Sequence, residues 1–300
     1  MPRIDAHLHV FAKASAEFPR EASELAPADR EEPVEKLMVE MEQHQIDQAM
    51  LVQIGETRLE DHAYLLHCLK TYPDRFLGIG LIPSDNSEPE DHMDRLTDGT
   101  GVVGFRLSSL GGPRDPFARI DVREFGAYRI WKHAAEKDYV IWLYAQAVDA
   151  HLIPYLTEAF PQVRVVLNHL GICPGKGKFS VDALRRPKID TPMYNPAFHT
   201  TYRLARFENV TVHLSGQYAF SKEAFPYRDL ARWHQNLLNN YGAKRLMWAT
   251  DFPWILEEPG YGQLTEIIKE LLPDLSEAEH RDIMGGTAKR FLRFPDLAID

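Results

Sequence analysis

Eight short apolar runs, each followed by a stretch with helical spacing or helix-boundary residues, restrict the fold of this 300-residue chain more than any other feature. Runs rich in Val, Ile, Leu and aromatics occupy residues 3–10, 48–54, 76–82, 102–107, 139–145, 163–169, 210–215 and 246–251. Regular alternation of strand and helix is the pattern of parallel α/β architecture, in which each crossover lays a helix over the sheet. Eight units at about 37 residues each suit a (β/α)8 TIM barrel of ~250 residues with a few extended loops. A doubly wound open sheet shares the alternation, but no Gly-rich dinucleotide turn follows the first run. No internal repeat or low-complexity linker divides the chain, so a single domain over residues 1–300 is expected.

Helix signals fill the gaps. Val34, Leu37, Met38 and Met41 follow Pro33 at the spacing of one apolar stripe. Asn195-Pro196 reads as a cap with proline in the first turn, opening a helix to about Arg206. Ser276 with Glu279 forms a capping box, starting a helix expected to break near Gly285-Gly286. Residues 171–195, rich in Gly, Pro and Lys, form the one long connection, and a long loop after a barrel strand is an active-site lid or binding loop.

Composition removes several function classes. The chain carries 34 Lys plus Arg against 44 Asp plus Glu, a net charge of −10, which opposes binding to nucleic acid or an anionic membrane surface. No apolar run approaches the ~20 residues of a membrane span and no apolar leader opens the sequence, so a cytoplasmic protein is expected. Cys68 and Cys173 are too few for a disulfide framework and lack structural-zinc spacing. The lid departs from the acidic average: Lys176, Lys178, Arg185, Arg186 and Lys188 face only Asp182, so either a solvated loop or an attractor for an anionic substrate is expected there. The Gly-Lys-Gly-Lys at 175–178 does not complete a phosphate loop.

In a barrel, functional side chains sit at the C-terminal ends of the strands, which share one rim. The first run reads Ile4-Asp5-Ala6-His7-Leu8-His9. A period of two predicts Asp5, His7 and His9 on one face, looking into the barrel, with Ile4, Ala6 and Leu8 turned to the helices. Two imidazoles about 6.6 Å apart along a strand can converge on one ion or one substrate. The sixth run ends on His169 and the eighth ends Thr250-Asp251-Phe252-Pro253. A carboxylate at the mouth of a buried strand is costly unless paired, hydrogen-bonded or metal-bound, so Asp251 needs partners, and His7, His9 and His169 are the candidates. Trp131, Trp233 and Trp248 are expected in the core, with Trp142 and Trp254 near the rim. His213, two residues before Ser215, is a candidate buried histidine, and His199 follows the lid. His44, His62, His67, His92, His133, His151, His234 and His280 fall in helical segments and are expected to be solvated.

In this order and spacing, the residues resemble the amidohydrolase superfamily, in particular its amidohydrolase-related (amidohydrolase 2) branch of metal-dependent hydrolases and decarboxylases. The resemblance covers nearly the whole chain: Asp5-Ala6-His7-Leu8-His9, Asn168-His169-Leu170-Gly171, Leu214-Ser215-Gly216, Thr250-Asp251-Phe252-Pro253 and Met284-Gly285-Gly286-Thr287-Ala288. Thr287 stands where relatives commonly carry Asn, a departure expected to touch a terminal hydrogen bond rather than chemistry. One-metal relatives use the His-x-His pair, a histidine ending the fifth strand and the aspartate ending the eighth. Here the fifth strand ends Leu143-Tyr144-Ala145-Gln146 and the fourth reads Gly104-Phe105-Arg106-Leu107-Ser108, without the histidine or a bridging Lys or Glu. The resemblance therefore implies at most one divalent metal, zinc or manganese, on His7, His9 and Asp251 with His169 in reserve. Tyr on the fifth strand and Arg on the fourth resemble the lactone-hydrolysing subset that includes 2-pyrone-4,6-dicarboxylate hydrolase and sugar-lactone hydrolases, some of which work without a metal.

The function expected from this reading is a hydrolase that opens a small anionic lactone or related ester through Asp251-activated water. His169 and Tyr144 complete the catalytic set, with His7, His9 and His169 polarising the carbonyl. Arg106, Ser215 and Trp254 contact the substrate, Arg106 because a guanidinium in a barrel mouth suits a carboxylate. An ion pair of Arg106 with Asp5 or Asp251 is the competing use of that charge. The alternatives are a metal-dependent decarboxylase of an aromatic or unsaturated acid, with Asp251 protonating carbon, and a catalytically inactive barrel that binds a partner. The partner expected is a small molecule, and a homo-oligomer is compatible with the sequence.

Overall fold

The computed structural model describes residues 1–115, 117–144, 146–171, 178–191 and 196–297. Its strands are β1 (Ile4–Leu8), β2 (Gln48–Val52), β3 (Phe76–Leu81), β4 (Val102–Leu107), β5 (Val140–Leu143), β6 (Val165–Leu167), β7 (Lys178–Val181), β8 (Pro187–Asp190), β9 (Val210–Leu214) and β10 (Leu246–Trp248). All but β7 and β8 form one parallel eight-stranded sheet in chain order, with helices between them: the single-domain (β/α)8 barrel expected from the sequence. Each of the eight apolar runs contains one barrel strand. Both faces of these strands are covered, which is why the runs read as continuously apolar. Met50, Ile79, Trp142, Val166 and Met247 meet inside the barrel, where Leu292 and Phe294 of the C-terminal segment close its floor. Their neighbours Leu51, Phe105, Leu143 and Trp248 belong to the larger cluster shared with the helices. No helix among the described residues is long and apolar enough to cross a membrane.

The first strand departs from simple alternation. Asp5 pairs with Ala49 but Leu8 pairs with Leu51, so three steps on β1 match two on β2, the mark of a β-bulge. Ile4 and Ala6 join the interior cluster while Leu8 joins the outer one. His7 nevertheless meets the interior Trp142. The bulge therefore turns His7 and His9 inward and leaves Asp5 on the outer side, against Thr250 and Tyr261. The expected shared face for Asp5, His7 and His9 is corrected by that one extra residue.

Asp5 closes the barrel instead. Its Oδ1 accepts from the Thr250 amide at 2.9 Å, and its Oδ2 accepts from the Thr250 hydroxyl at 2.5 Å and the Tyr261 hydroxyl at 2.9 Å. Backbone bonds continue the seam toward the mouth: the Asp251 amide donates to His7 O at 3.0 Å and the His9 amide to Phe252 O at 2.7 Å.

The helix signals mostly hold. The helix Val34–Gln43 buries Val34, Leu37 and Met41. The helix Pro196–Leu204 follows the predicted proline, and Asn195 lies outside the described residues. Ser276 and Glu279 form the reciprocal capping box. The expected break at Gly285-Gly286 is instead a wide turn over Asp282–Gly286, after which the helix Thr287–Leu292 resumes. A Cβ at Gly285 would lie 2.1 Å from the Pro2 carbonyl oxygen, so the close pass of the N-terminal segment demands glycine. The Thr287 hydroxyl donates to Ala243 O at 3.0 Å, a structural bond remote from the mouth.

The connection after β6 is not irregular throughout, because β7 and β8 pair as an antiparallel hairpin. Two of its charges are committed. Arg186 bonds Asp182 at 2.8 Å and meets Glu258 at 3.1 Å, and Lys188 donates to the Tyr218 carbonyl at 2.5 Å. Lys176 and the Lys178 side chain lie outside the described part. The helical histidines are corrected as well: His62, His92, His133 and His234 are buried. Each has a carbonyl or carboxylate partner, such as Leu230 O for His234 and Asp94 for His133.

Burial pushes the Asp5 carboxyl up to about 6, against the pull of its hydrogen bonds from Thr250 and Tyr261. A folded value above the unfolded one means that Asp5 contributes stability fully below pH ~4, and that this contribution is lost as pH rises through about 6. Asp5→Ala orphans buried donors and is expected to cost about 3 kcal/mol, read as a lower urea midpoint. Asp5→Asn is expected to stay folded and to lose this pH-dependent contribution between pH 4 and 7. An Asp5→Ala midpoint equal to wild type contradicts the role of this seam.

Candidate active site

The C-terminal ends of the strands enclose a cavity of about 380 Å3 lined by His9, Gln53, Arg106, Ser108, Tyr144, His169, Asp251 and Trp254, with Phe179 and Pro187 of the hairpin on its wall. A larger depression of about 900 Å3 lies near the opposite strand ends, but its charges pair with one another, as in Lys137–Asp94 and Arg164–Asp138.

Asp251 is the centre of the site. It leaves β10 with φ +62°, and His169 follows β6 with φ +41°. Left-handed backbone costs an L-residue about 1–2 kcal/mol, and it accompanies functional sites when the surroundings fix it. Here the seam bond to His7 O fixes Asp251. Gly216 makes room for His169, since a Cβ there would lie 2.9 Å from the imidazole Nδ1. Tyr218 donates to Asp251 Oδ2 at 2.6 Å. Oδ1 lies 3.5 Å from both His7 Nε2 and His9 Nε2, and His169 Nδ1 is 4.0 Å from Oδ2.

The imidazoles are held differently. His9 Nδ1 is 2.8 Å from Val52 O, an acceptor, so this nitrogen carries the proton and Nε2 presents a lone pair to Asp251. His7 Nδ1 accepts from the Trp142 indole N–H at 3.0 Å, so its proton sits on Nε2. His169 Nδ1 meets the Ser215 hydroxyl at 3.0 Å. Burial pushes His169 down to about 4 and His7 well below the ordinary imidazole value, so both are neutral at pH 7. Burial alone would raise Asp251, but the neighbouring His169 and His9 imidazoles and the hydrogen bond from Tyr218 outweigh it, holding the carboxyl below its usual range.

Across the cavity the Arg106 guanidinium lies 4.5 Å from the centroid of the Tyr144 ring. Among the described residues no carboxylate comes within ion-pair distance of it, so the expected competitors Asp5 and Asp251 do not take its charge. Burial lowers its value somewhat, and the guanidinium stays charged. Burial raises the Tyr144 phenol, which keeps its proton and stands edge-on to His169 at 5.6 Å.

The structure thus brings His9, His169, Asp251, Arg106, Tyr144 and Trp254 to one cavity. Ser215 does not line it; buried behind His169, it orients the imidazole. His7 is buried beneath the cavity, with its Nε2 facing Asp251 and its Nδ1 the Trp142 indole. Trp142 is likewise interior, and His213 is buried beside it without a hydrogen-bond partner among the described residues. Trp142, expected at the rim, and Tyr218, which carries no sequence signal, make contacts that depend on the packed barrel rather than on any spacing.

Ligand atoms of His7, His169 and Asp251 lie within 4.8 Å of one another, compact enough for one cation. The donor chemistry does not fit the expected His7–His9 pair. A neutral metal-bound imidazole donates its second N–H to an acceptor. His9 has that acceptor in Val52 O; His7 has a donor, the Trp142 indole, in its place.

Comparison with known proteins agrees with this architecture. The chain is similar in structure to a Burkholderia multivorans amidohydrolase crystallised with HEPES, at TM-score 0.72 and 21% identity, covering 98% of this chain and 100% of that one. The same protein has also been crystallised with zinc. An Acinetobacter baumannii protein described as a probable 2-pyrone-4,6-dicarboxylic acid hydrolase, with citric acid bound, gives 0.71 and 20% over 98% and 100% of the chains. A Rhizobium 2,6-dihydroxybenzoate decarboxylase gives 0.61 and 16% over 97% and 98%. At these identities the likenesses establish the fold alone. No curated protein matches the chain. The amidohydrolase family model matches residues 4–294, and the chain belongs to that family.

Proposed function

We propose that the chain hydrolyses a small lactone or related ester bearing a carboxylate, with Asp251 as the base that activates water and without a bound metal. The observation that carries this reading is the uncommitted Asp251 Oδ1 facing the His9 Nε2 lone pair at 3.5 Å beside the cavity. A water that donates one hydrogen to each acceptor turns its own lone pairs toward a substrate carbonyl. Asp251 takes the proton as the water oxygen adds to the carbonyl carbon. The Tyr144 hydroxyl, and His169 N–H with Ser215 donating to its other nitrogen, stabilise the oxyanion. The ring C–O bond then breaks, and the proton on Asp251 passes to the leaving alkoxide. Arg106 binds the substrate carboxylate from the opposite wall. His7 acts on Asp251 rather than on the carbonyl.

A decarboxylase needs Asp251 protonated to deliver a proton to carbon, and the lowered Asp251 value favours the base instead. The relative described as a 2-pyrone-4,6-dicarboxylic acid hydrolase supports the same choice of substrate class. The test is a panel of carboxylate-bearing lactones, neutral lactones and aromatic acids, assayed before and after chelator treatment. Lactone opening with kcat/KM unchanged by chelator is expected. Turnover confined to CO2 release, activity abolished by chelator, or no turnover at all contradicts the proposal, the last reviving a binding role.

Asp251→Asn is expected to lower kcat about 10²–10⁴-fold with an unchanged melting temperature; near-wild-type turnover overturns the mechanism. Arg106→Leu should raise KM for carboxylate-bearing lactones about tenfold or more while leaving neutral lactones unaffected. Because Asp251 and His169 are both depressed, kcat/KM should fall on the acid side only as pH drops toward about 4. Tyr218→Phe removes a hydrogen bond from the carboxylate, and the acid limb should move up by about one pH unit. An unmoved limb removes Tyr218 from the stabilisation of Asp251.

A further inference from the structure

We infer that Trp142 determines which nitrogen of His7 carries the proton, and thereby leaves His7 Nε2 a donor beside Asp251 and withholds it from a metal ion. The inference rests on reading Asp251 as the base and adds the residue that keeps the His-x-His pair from acting as a cation clamp. Trp142 Nε1 lies 3.0 Å from His7 Nδ1, and both residues are 0% exposed. An indole N–H donates and cannot accept, so His7 Nδ1 must accept, and the one proton of the neutral ring occupies Nε2. Flipping the ring exchanges Nδ1 for a carbon, which would leave the buried indole N–H facing a C–H with no acceptor.

The far end of the ring agrees. His7 Nε2 lies 3.5 Å from Asp251 Oδ1 with no hydrogen-bond partner of its own among the described residues, and this is the carboxylate oxygen that Tyr218 leaves free. His9, two residues on, is fixed in the opposite tautomer by Val52 O at 2.8 Å. A cation shared by the pair requires a lone pair from each Nε2. His9 offers one, whereas His7 can do so only by moving its proton to Nδ1, breaking the bond to Trp142 and orphaning a donor inside the barrel. A penalty of that kind weakens metal binding on the order of ten- to hundredfold. Trp142 is therefore a positioning residue: it never faces the cavity, but it sets what His7 presents.

Two measurements on the full chain test this. The 15N chemical shifts of the His7 ring in wild type, which need no variant, are expected to show the Nε2–H tautomer; an Nδ1–H pattern overturns the proposal. Zinc affinity is then measured by competition with a chromophoric chelator in wild type and Trp142→Phe, which removes the N–H but keeps an aromatic ring. The variant, with wild-type circular dichroism, is expected to bind zinc ten- to hundredfold more tightly, with His7 moving to the Nδ1–H form when loaded. Equal zinc affinity in the two folded proteins overturns the proposal, and a variant that fails to fold leaves the wild-type 15N shifts to decide it. Neither readout depends on turnover, so an inactive lactone panel beside an Nε2–H His7 refutes the hydrolase reading and leaves this one standing.

Discussion

The site depends on how the sheet is sealed. β1 and β10 are the two ends of the parallel sheet, and they meet through the Asp5 carboxylate and two backbone bonds. Each bond of this seam also places a functional group. The Asp251 amide is referenced to His7 O, and the His9 amide to the carbonyl just after Asp251. Asp251 and the imidazoles therefore stand in fixed register although some 240 residues of chain separate them. The bulge on β1 is the complement of this arrangement: one extra residue lets Asp5 face outward to hold the seam while His7 and His9 face inward to the chemistry.

The electrostatics follow from that geometry. Asp251 is buried at the barrel mouth and Arg106 half-buried there, and the two do not pair; both line the cavity. Burying separate charges is costly unless hydrogen bonds supply what water would. Asp251 obtains this from Tyr218 and the surrounding imidazoles, and Arg106 has the face of Tyr144. On the proposed reading, a bound carboxylate lactone would complete the Arg106 pair and bring its carbonyl toward Asp251.

The sequence was most informative where burial is uniform. All eight barrel strands lie within the apolar runs because a parallel strand covered on both faces has to be apolar along its length. His9, His169, Asp251, Arg106 and Tyr144 are legible because they stand where those runs end. Other features were hidden for identifiable reasons. The β7–β8 hairpin has only the short alternation of Phe179, Val181 and Ile189 inside a segment rich in Gly, Pro and Lys, and the bulge in β1 breaks the period of two that the inward and outward assignment assumed. Buried helical histidines such as His62 and His234 look solvated in sequence because the carbonyls that satisfy them come from backbone that carries no sequence signal. Part of the lid's charge is hidden in the same way, since Arg186 is held by Asp182 and Glu258, the second of which lies 72 residues away in the chain.

His7 and His9 show why a motif underdetermines its chemistry. Sequence gives two histidines with one residue between them, and that spacing serves a cation and a carboxylate equally well. What separates the two uses is the group behind each ring: Val52 O behind His9 and the Trp142 indole behind His7, one an acceptor and the other a donor. Val52 acts through its backbone and so leaves no trace in residue identity. Trp142 does leave one, since a Trp on the inward side of β5 points its N–H across the barrel interior to β1. The residue that assigns the motif its meaning thus lies 135 positions away from it, on a different strand, and it becomes visible only when the barrel closes.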